Sequence, residues 1–195
     1  MVERGHILGL VLAGGLSRRM GGADKALLPL AGTAMLERVI ARLRPQVGAL
    51  VLNSNADTPP AAGLEMVADA LPGRGGPMVG VLTGLELAAA RGYSWLATAP
   101  CDSPLLPADL VARLAAGDGM AVAASGGRVH PVFALWPVAH GPRLRRMLEA
   151  GERKAGLILD RFGPVVVEWP AEPLDPFANV NTPADAARVE ALLSP

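Results

Sequence analysis

One cysteine, Cys101, is all the sequence holds, which excludes an intrachain disulfide framework and any multi-cysteine zinc site. Aromatic residues make up only 4%, too few to favour a module that reads single-stranded nucleic acid by stacking. Net charge is absent as well: 18 Lys and Arg balance 18 Asp and Glu. Neither nucleic acid nor an anionic membrane is therefore an expected partner. No run approaches the roughly 18 consecutive apolar residues of a membrane span. The stretch Ile7 to Ala13 reads as a buried strand and not as an export signal, and a cytoplasmic location is expected. What remains is 195 residues at 51% hydrophobic content, enough for one domain with a substantial core.

The most informative segment opens the chain. The apolar run Leu8 to Leu12 empties into Ala13-Gly14-Gly15-Leu16-Ser17-Arg18-Arg19-Met20-Gly21-Gly22-Ala23-Asp24-Lys25. Two glycine pairs permit close ligand approach, and three cations add countercharge, a combination suited to phosphate. It is not a P-loop, because Asp24 precedes Lys25 and Ala26 follows it; nor is it G-x-G-x-x-G. The segment points to an enzyme that handles a nucleoside triphosphate.

Strands are predicted at Leu8–Leu12, Ala49–Asn53, Leu64–Val67, Trp95–Ala99, Met120–Ala124, Pro131–Trp136 and Val165–Trp169. Short, almost wholly apolar runs such as the first and fourth suit parallel strands covered on both faces. Helices are predicted from Thr33, as a hydroxyl cap, to Pro45, and at Pro77–Ala90, with Gly84 and Ala88 facing the sheet and Gly92 as C-cap. Two more are predicted at Pro107–Ala115 and Pro142–Ala150. Thr182-Pro183-Ala184-Asp185 starts a last helix, with Thr as N-cap, Pro at N1 and an acid at N3. This alternation predicts a three-layer α/β sandwich with right-handed crossovers.

Candidate site residues follow from strand ends. Asp102 closes the fourth strand, at the carboxyl edge where open α/β sheets place ligands. Its carboxylate is either a Mg²⁺ ligand or a turn former ahead of Pro104. Asp69 ends the third strand, and Arg74 lies in the glycine- and proline-rich loop beyond it. Asn53 and Asn55 follow the second strand, as amides that read a base or ribose edge, or as turn formers. Asn179 and Asn181 lead into the last helix, either completing an oxygen shell beside Asp102 or forming a turn before the cap. His130 either touches a substrate anion or is an ordinary turn or edge residue. Arg143, Arg145, Arg146, Arg153 and Lys154 are either a solvated face or the seat of an anionic second substrate. Cys101 has no evident His base and is read as a packing residue.

The loop Leu12–Lys25 resembles that of the molybdenum cofactor guanylyltransferases. The likeness continues through Leu28, Gly32, Asn53, Asp69, Gly76-Pro77-Met78-Val79-Gly80, Cys101-Asp102-Ser103-Pro104, His130-Pro131 and Asn179-Val180-Asn181-Thr182-Pro183. Cytidylyltransferases and sugar-phosphate nucleotidyltransferases share a weaker form of the loop. The resemblance implies a Rossmann-like, mostly parallel sheet of the nucleotide-diphospho-sugar transferase type, with an intervening antiparallel element, in one domain spanning 1–195. Its N-terminal half would bind GTP and its C-terminal half molybdopterin. It implies GTP contacts at Leu12, Ala13, Gly14, Gly15, Lys25, Asn53, Asp69 and Asp102, with Asp102 also the Mg²⁺ ligand. Arg19 and Gly22 are implied in the phosphate loop, and Asn179 and Asn181 on the pterin or catalytic side. The implied partners are GTP, molybdenum-molybdopterin, and transiently the proteins that deliver molybdopterin and the molybdoenzymes that receive the product, around a monomer. The alternatives are a cytidylyl or sugar-phosphate nucleotidyltransferase and a non-catalytic nucleotide-binding partner. The segments Leu71–Gly75 and Arg153–Phe162 fit the resemblance less closely.

Overall fold

A computed structural model describes residues 2–13, 27–56, 63–73 and 76–193. The run Ile7–Leu12 forms strand β1, buried at every position. It is the hub of the sheet, pairing in parallel with β4 (Ala49–Asn53) on one side and β6 (Trp95–Pro100) on the other. Beyond β4 lies β5 (Glu65–Val67), also parallel. On the far side β8 (Arg128–Pro137) runs antiparallel to both β6 and β7 (Ala121–Ser125), and β9 (Val165–Trp169) is parallel to β7. The order is β5-β4-β1-β6-β8-β7-β9, a mostly parallel sheet with one antiparallel insertion, as expected. Gly126 and Gly127, both at positive φ, form the two-residue turn that joins β7 to β8.

Alternation along β1 divides the core between the two faces. Ile7 and Val11 join a cluster with Val39 and Leu43 of α1 (Met35–Leu43) and Leu110 and Leu114 of α3 (Leu110–Leu114). Leu8, Leu10 and Leu12 face Val81, Leu82 and Leu85 of α2 (Pro77–Ala90), Leu144 and Leu148 of α4 (Gly141–Glu149) and Ile158 of α5 (Ala155–Asp160). The three-layer α/β/α sandwich is thereby built. A smaller cluster of Leu30, Met35, Val180 and Val189 holds α6 (Pro183–Leu193) against a short hairpin of β2 (Pro29–Leu30) and β3 (Thr33–Ala34). Among the described residues no helix is long and apolar enough to cross a membrane.

Several boundaries differ from the sequence reading. Thr33 does not cap α1: it lies in β3, and the Met35 amide instead donates to the Leu28 carbonyl at 2.9 Å. The hairpin backbone thus supplies the acceptor that a capping hydroxyl would have offered. The helix predicted from Pro107 shortens to Leu110–Leu114, because Gln46 takes over its entry. The Gln46 side chain donates to the Pro107 carbonyl and accepts from the Val111 amide. Helix α5 has no counterpart in the sequence reading; six residues with two buried apolar side chains carry too little periodicity. By contrast, α2 ends as expected: Gly92 takes positive φ, the Tyr93 amide reaches back to Ala88 at 2.9 Å, and the Gly92 amide reaches Ala89.

Candidate functional site

Chain order turns back at β1: the crossover through α1 leads to β4, whereas the one through α2 returns to β6 on the other side. Ligands of open α/β sheets sit in the crevice at such a reversal, outside the carboxyl ends of the strands. The edge there is extended past the strands by backbone hydrogen bonds, Ala13 N–H to Asn53 O at 2.9 Å and Cys101 N–H to Leu12 O at 3.0 Å. Leu12, Ala13, Asn53, Cys101 and Asp102 therefore form one continuous rim. Gly14, Gly15, Arg18, Arg19, Gly22, Lys25 and Arg74 lie outside the described residues.

Close packing of α2 fixes one side of this rim. An ideal Cβ on Gly80 would collide with Asn53 Oδ1 and lie 2.6 Å from Leu12 Cδ2. One on Gly84 would lie 2.7 Å from Leu10 Cδ2 and 2.9 Å from Leu96 Cδ2. The two glycines let the helix backbone rest on the sheet directly beneath the rim. Asn53, 2% exposed, donates its amide hydrogens to Val67 O at 3.2 Å and Asp69 Oδ1 at 2.9 Å. Asn55 donates to Asp69 Oδ2 at 2.8 Å and accepts from the Asp69 amide at 2.9 Å. The sequence leaves Asn53 and Asn55 open as base readers or turn formers; in the fold both orient the Asp69 carboxylate.

On the other side, Asp102 is half-buried with Oδ1 shielded from solvent. Its backbone carbonyl accepts from the Val180 amide at 2.8 Å, and the fully buried Ser103 donates from Oγ to Asn179 Oδ1 at 2.8 Å. Two residues far apart in the chain, Asp102 and Asn179, are brought to one edge by these bonds. Asn181 follows, at the entry to α6. Asp185 Oδ2 accepts from the Asn181 amide, the Thr182 amide and Thr182 Oγ1 at 2.9–3.0 Å, and the Asp185 amide donates to Thr182 Oγ1 at 3.1 Å. This is the predicted capping box. The Thr182 hydroxyl, then the Asn181 amide, lower the Asp185 pKa.

Among the described residues, no three His, Cys, Asp or Glu side chains gather where they could hold a metal ion. The Asp102 carboxylate, with one oxygen shielded from solvent, fits Mg²⁺, which keeps several waters and takes its remaining ligands from substrate phosphates. Cys101 packs against the core cluster of β1 and α1, in keeping with a packing role.

His130 lies in the interior, 8% exposed, with Nε2 2.7 Å from Ser125 Oγ. Burial, the largest influence, lowers its pKa. Three members of the second basic cluster are engaged with their own helices and neighbours. Arg145 pairs with Glu86 on α2 at 2.8 and 2.9 Å, and Arg143 donates to Arg161 O and lies over Phe162. Arg153 donates to the Leu148 carbonyl. Ser103 lies beside Asp102 in the motif after β6, yet its sequence context assigns it no role; Ser125, Asp175 and Phe177 carry no sequence signal at all.

The family model for the MobA-like NTP transferase domain matches residues 9–165. A molybdenum cofactor guanylyltransferase of Rhodopseudomonas palustris (strain BisB5) is 49% identical over 191 residues, 93% of this chain and 91% of its own. One from Nitrobacter hamburgensis is 45% identical over 194 residues, 94% of this chain and 93% of its own. Among solved structures, the molybdopterin-guanine dinucleotide biosynthesis protein A of Archaeoglobus fulgidus superposes with a TM-score of 0.71 at 24% identity, covering 96% of this chain and 98% of that one. The 2-C-methyl-D-erythritol 4-phosphate cytidylyltransferase of Thermus thermophilus reaches 0.67 at 21%, covering 94% and 97%. These two likenesses speak for the fold, that of the nucleotide-diphospho-sugar transferases. The match over residues 9–165 and the near full-length relatives establish that the chain belongs to the MobA-like NTP transferase family of nucleotidyltransferases.

Proposed function

We propose that this chain transfers GMP from GTP to molybdenum-molybdopterin, forming the guanine dinucleotide cofactor and releasing pyrophosphate. The observation that carries the reading is the joining of Asp102–Ser103 to the Asn179–Asn181 segment beside the β1 rim. It supports a donor and an acceptor meeting on one edge. The relatives named molybdenum cofactor guanylyltransferase supply the identity of the two substrates.

In the proposed reaction a terminal phosphate oxygen of molybdopterin attacks the α-phosphorus of GTP in line. The new P–O bond forms as the α–β bridging bond breaks, and the electron pair leaves with pyrophosphate. A phosphate nucleophile is already ionised at neutral pH, so no general base is required. The protein's task is alignment and neutralisation of charge. By the family resemblance, Leu12 to Gly15 and Gly22 take part in binding the triphosphate, and Lys25 and Arg19 bind the β- and γ-phosphates and steady the leaving pyrophosphate. Asp102 would hold Mg²⁺, which supplies charge neutralisation at the triphosphate when bound.

Asp69, oriented by Asn53 and Asn55, offers acceptor positions to the base. Guanine presents two adjacent donors, N1–H and the N2 amino group, whereas cytosine presents only its N4 amino group. Asn179 and Asn181 serve the pterin side. The N-terminal half thus takes GTP and the C-terminal half molybdopterin, in a cytoplasmic monomer that meets delivery proteins and recipient molybdoenzymes transiently.

The test is product formation with molybdenum-molybdopterin and GTP, CTP or ATP in turn. GTP alone is expected to yield a dinucleotide and pyrophosphate, and Asp102→Asn to lower that rate about 100-fold or more without unfolding the protein. A dinucleotide formed faster from CTP overturns the assignment. Nucleotide binding without pyrophosphate release would mark a non-catalytic binding partner.

A further inference from the structure

A buried network outside the proposed catalytic residues links the middle of the sheet to the segment that bears Asn179 and Asn181. Its origin is a break in the β7–β8 ladder. Ala124 pairs with Val129 and Val122 with Ala134, so the single residue Ala123 faces the four residues His130 to Phe133. Pro131 has no amide hydrogen to give a ladder, and the strand bulges there. Within the bulge His130 reaches back to Ser125, the last residue of β7, at 2.7 Å.

Proton counting orients the network. Ser125 Oγ lies 2.7 Å from Asp175 Oδ1, and an ionised carboxylate only accepts. The one hydroxyl hydrogen therefore goes to Asp175, and Ser125 accepts from His130 Nε2–H. This order, His to Ser to Asp, leaves the serine hydroxyl facing a carboxylate and gives it no base, so it is not a nucleophile. Asp175 Oδ1 also accepts from the Phe177 amide at 2.9 Å, and the Asp175 carbonyl from the Ala178 amide at 3.1 Å. The Phe177 ring, 2% exposed, sits 4.9 Å from the His130 ring, 4.8 Å from Phe133 and 5.3 Å from Trp169. Three residues later Val180 bonds to Asp102, and Asn179 accepts from Ser103. The segment is thus tied at both ends.

We propose that His130, acting through Ser125 and Asp175, is a positioning residue that sets the 175–181 segment against Asp102 and so governs binding of the acceptor substrate. The amino end of the segment is held by this chain of hydrogen bonds and by Phe177 packed at a tilt against His130. Loss of His130 removes both the donor to Ser125 and one wall of the Phe177 pocket. The link to the acceptor rests on the assignment of Asn179 and Asn181 to the pterin side under Proposed function; the clamp itself does not.

Two measurements separate them. Hydrogen exchange of the full-length protein without substrate reads the clamp: His130→Ala and Ser125→Ala are each expected to speed exchange of the Phe177 and Val180 amides at least about tenfold relative to β1 amides. Steady-state kinetics read the consequence. Both variants are expected to raise the KM for molybdopterin about tenfold and leave GTP affinity within about twofold. His130→Gln, whose side-chain amide can donate from nearly the same place, is expected to recover most of the loss. Unchanged exchange at Phe177 and Val180 overturns the clamp, even if the wild-type protein makes no dinucleotide. Faster exchange with both substrates affected equally, or with no rescue by His130→Gln, overturns the role in acceptor binding.

Discussion

Ser103 Oγ and Asn179 Oδ1 meet at 2.8 Å across 76 positions of sequence, joining the turn after β6 to the approach to α6. Ser103 is fully buried while Asn179 is exposed, so removing the hydroxyl leaves an amide that water can still satisfy. Ser103→Ala is expected to cost about 1 kcal/mol of stability, read by urea denaturation. Dinucleotide synthesis should fall more than that loss suggests, through a higher KM for molybdopterin. An unchanged KM would show that this bond is purely structural.

Gly80 and Gly84 provide a matched pair. Alanine at either position meets packed side chains, and each is expected to destabilise by about 1–3 kcal/mol. The Gly80 Cβ strikes Asn53 and Leu12 at the rim, whereas the Gly84 Cβ strikes Leu10 and Leu96 deeper in the sheet. Nucleotide affinity measured by calorimetry should therefore drop much further in Gly80→Ala than in Gly84→Ala. Equal losses would place the rim elsewhere.

Asn55 orients Asp69 through two hydrogen bonds, and Asn53 through one. Asn55→Ala is expected to weaken GTP binding about tenfold, and Asp69→Asn to narrow the preference for GTP over CTP. Competition binding checks both. A preference for GTP undiminished in Asp69→Asn would remove Asp69 from base recognition.

Two histidines make stability depend on pH. Burial lowers the pKa of His130 against the raising influence of Asp175 and Glu168, with Arg128 adding to the fall; burial and then Arg143 lower that of His140. A histidine of depressed folded pKa is protonated more readily when unfolded. Stability should then be constant above the ordinary value near 6.5, fall as pH drops below it, and level off under the folded values. Thermal midpoints from about pH 8 to about pH 5 should show this fall in the wild-type protein and a shallower one in the double variant His130→Gln, His140→Gln. Parallel curves would exclude the histidines as its source.

The centre of the sheet is legible because β1 and β6 are buried on both faces and read as short apolar runs, and Asn53, Asp69 and Asp102 stand at or just past strand ends. The box Thr182–Asp185 is legible because its bonds are local. Thr33 misleads for the same reason in reverse: a backbone carbonyl across the hairpin, Leu28 O, takes the role a local hydroxyl could have filled. His130 is ambiguous in sequence because only the bulge at Pro131 decides which way it reaches, and Asp175 lies in a segment with no periodicity.

From the sequence by itself came the α/β class and the position of Asp102 at the carboxyl edge of the sheet. Both follow from hydrophobic period and chain order, which are properties of short windows. Only the tertiary structure decided that Asn53 and Asn55 orient Asp69, that Asn179 meets Ser103, and that His130 turns inward to Ser125. Those contacts join residues up to 76 positions apart, and no local pattern encodes a hydrogen bond whose partners are brought together only when the sheet closes.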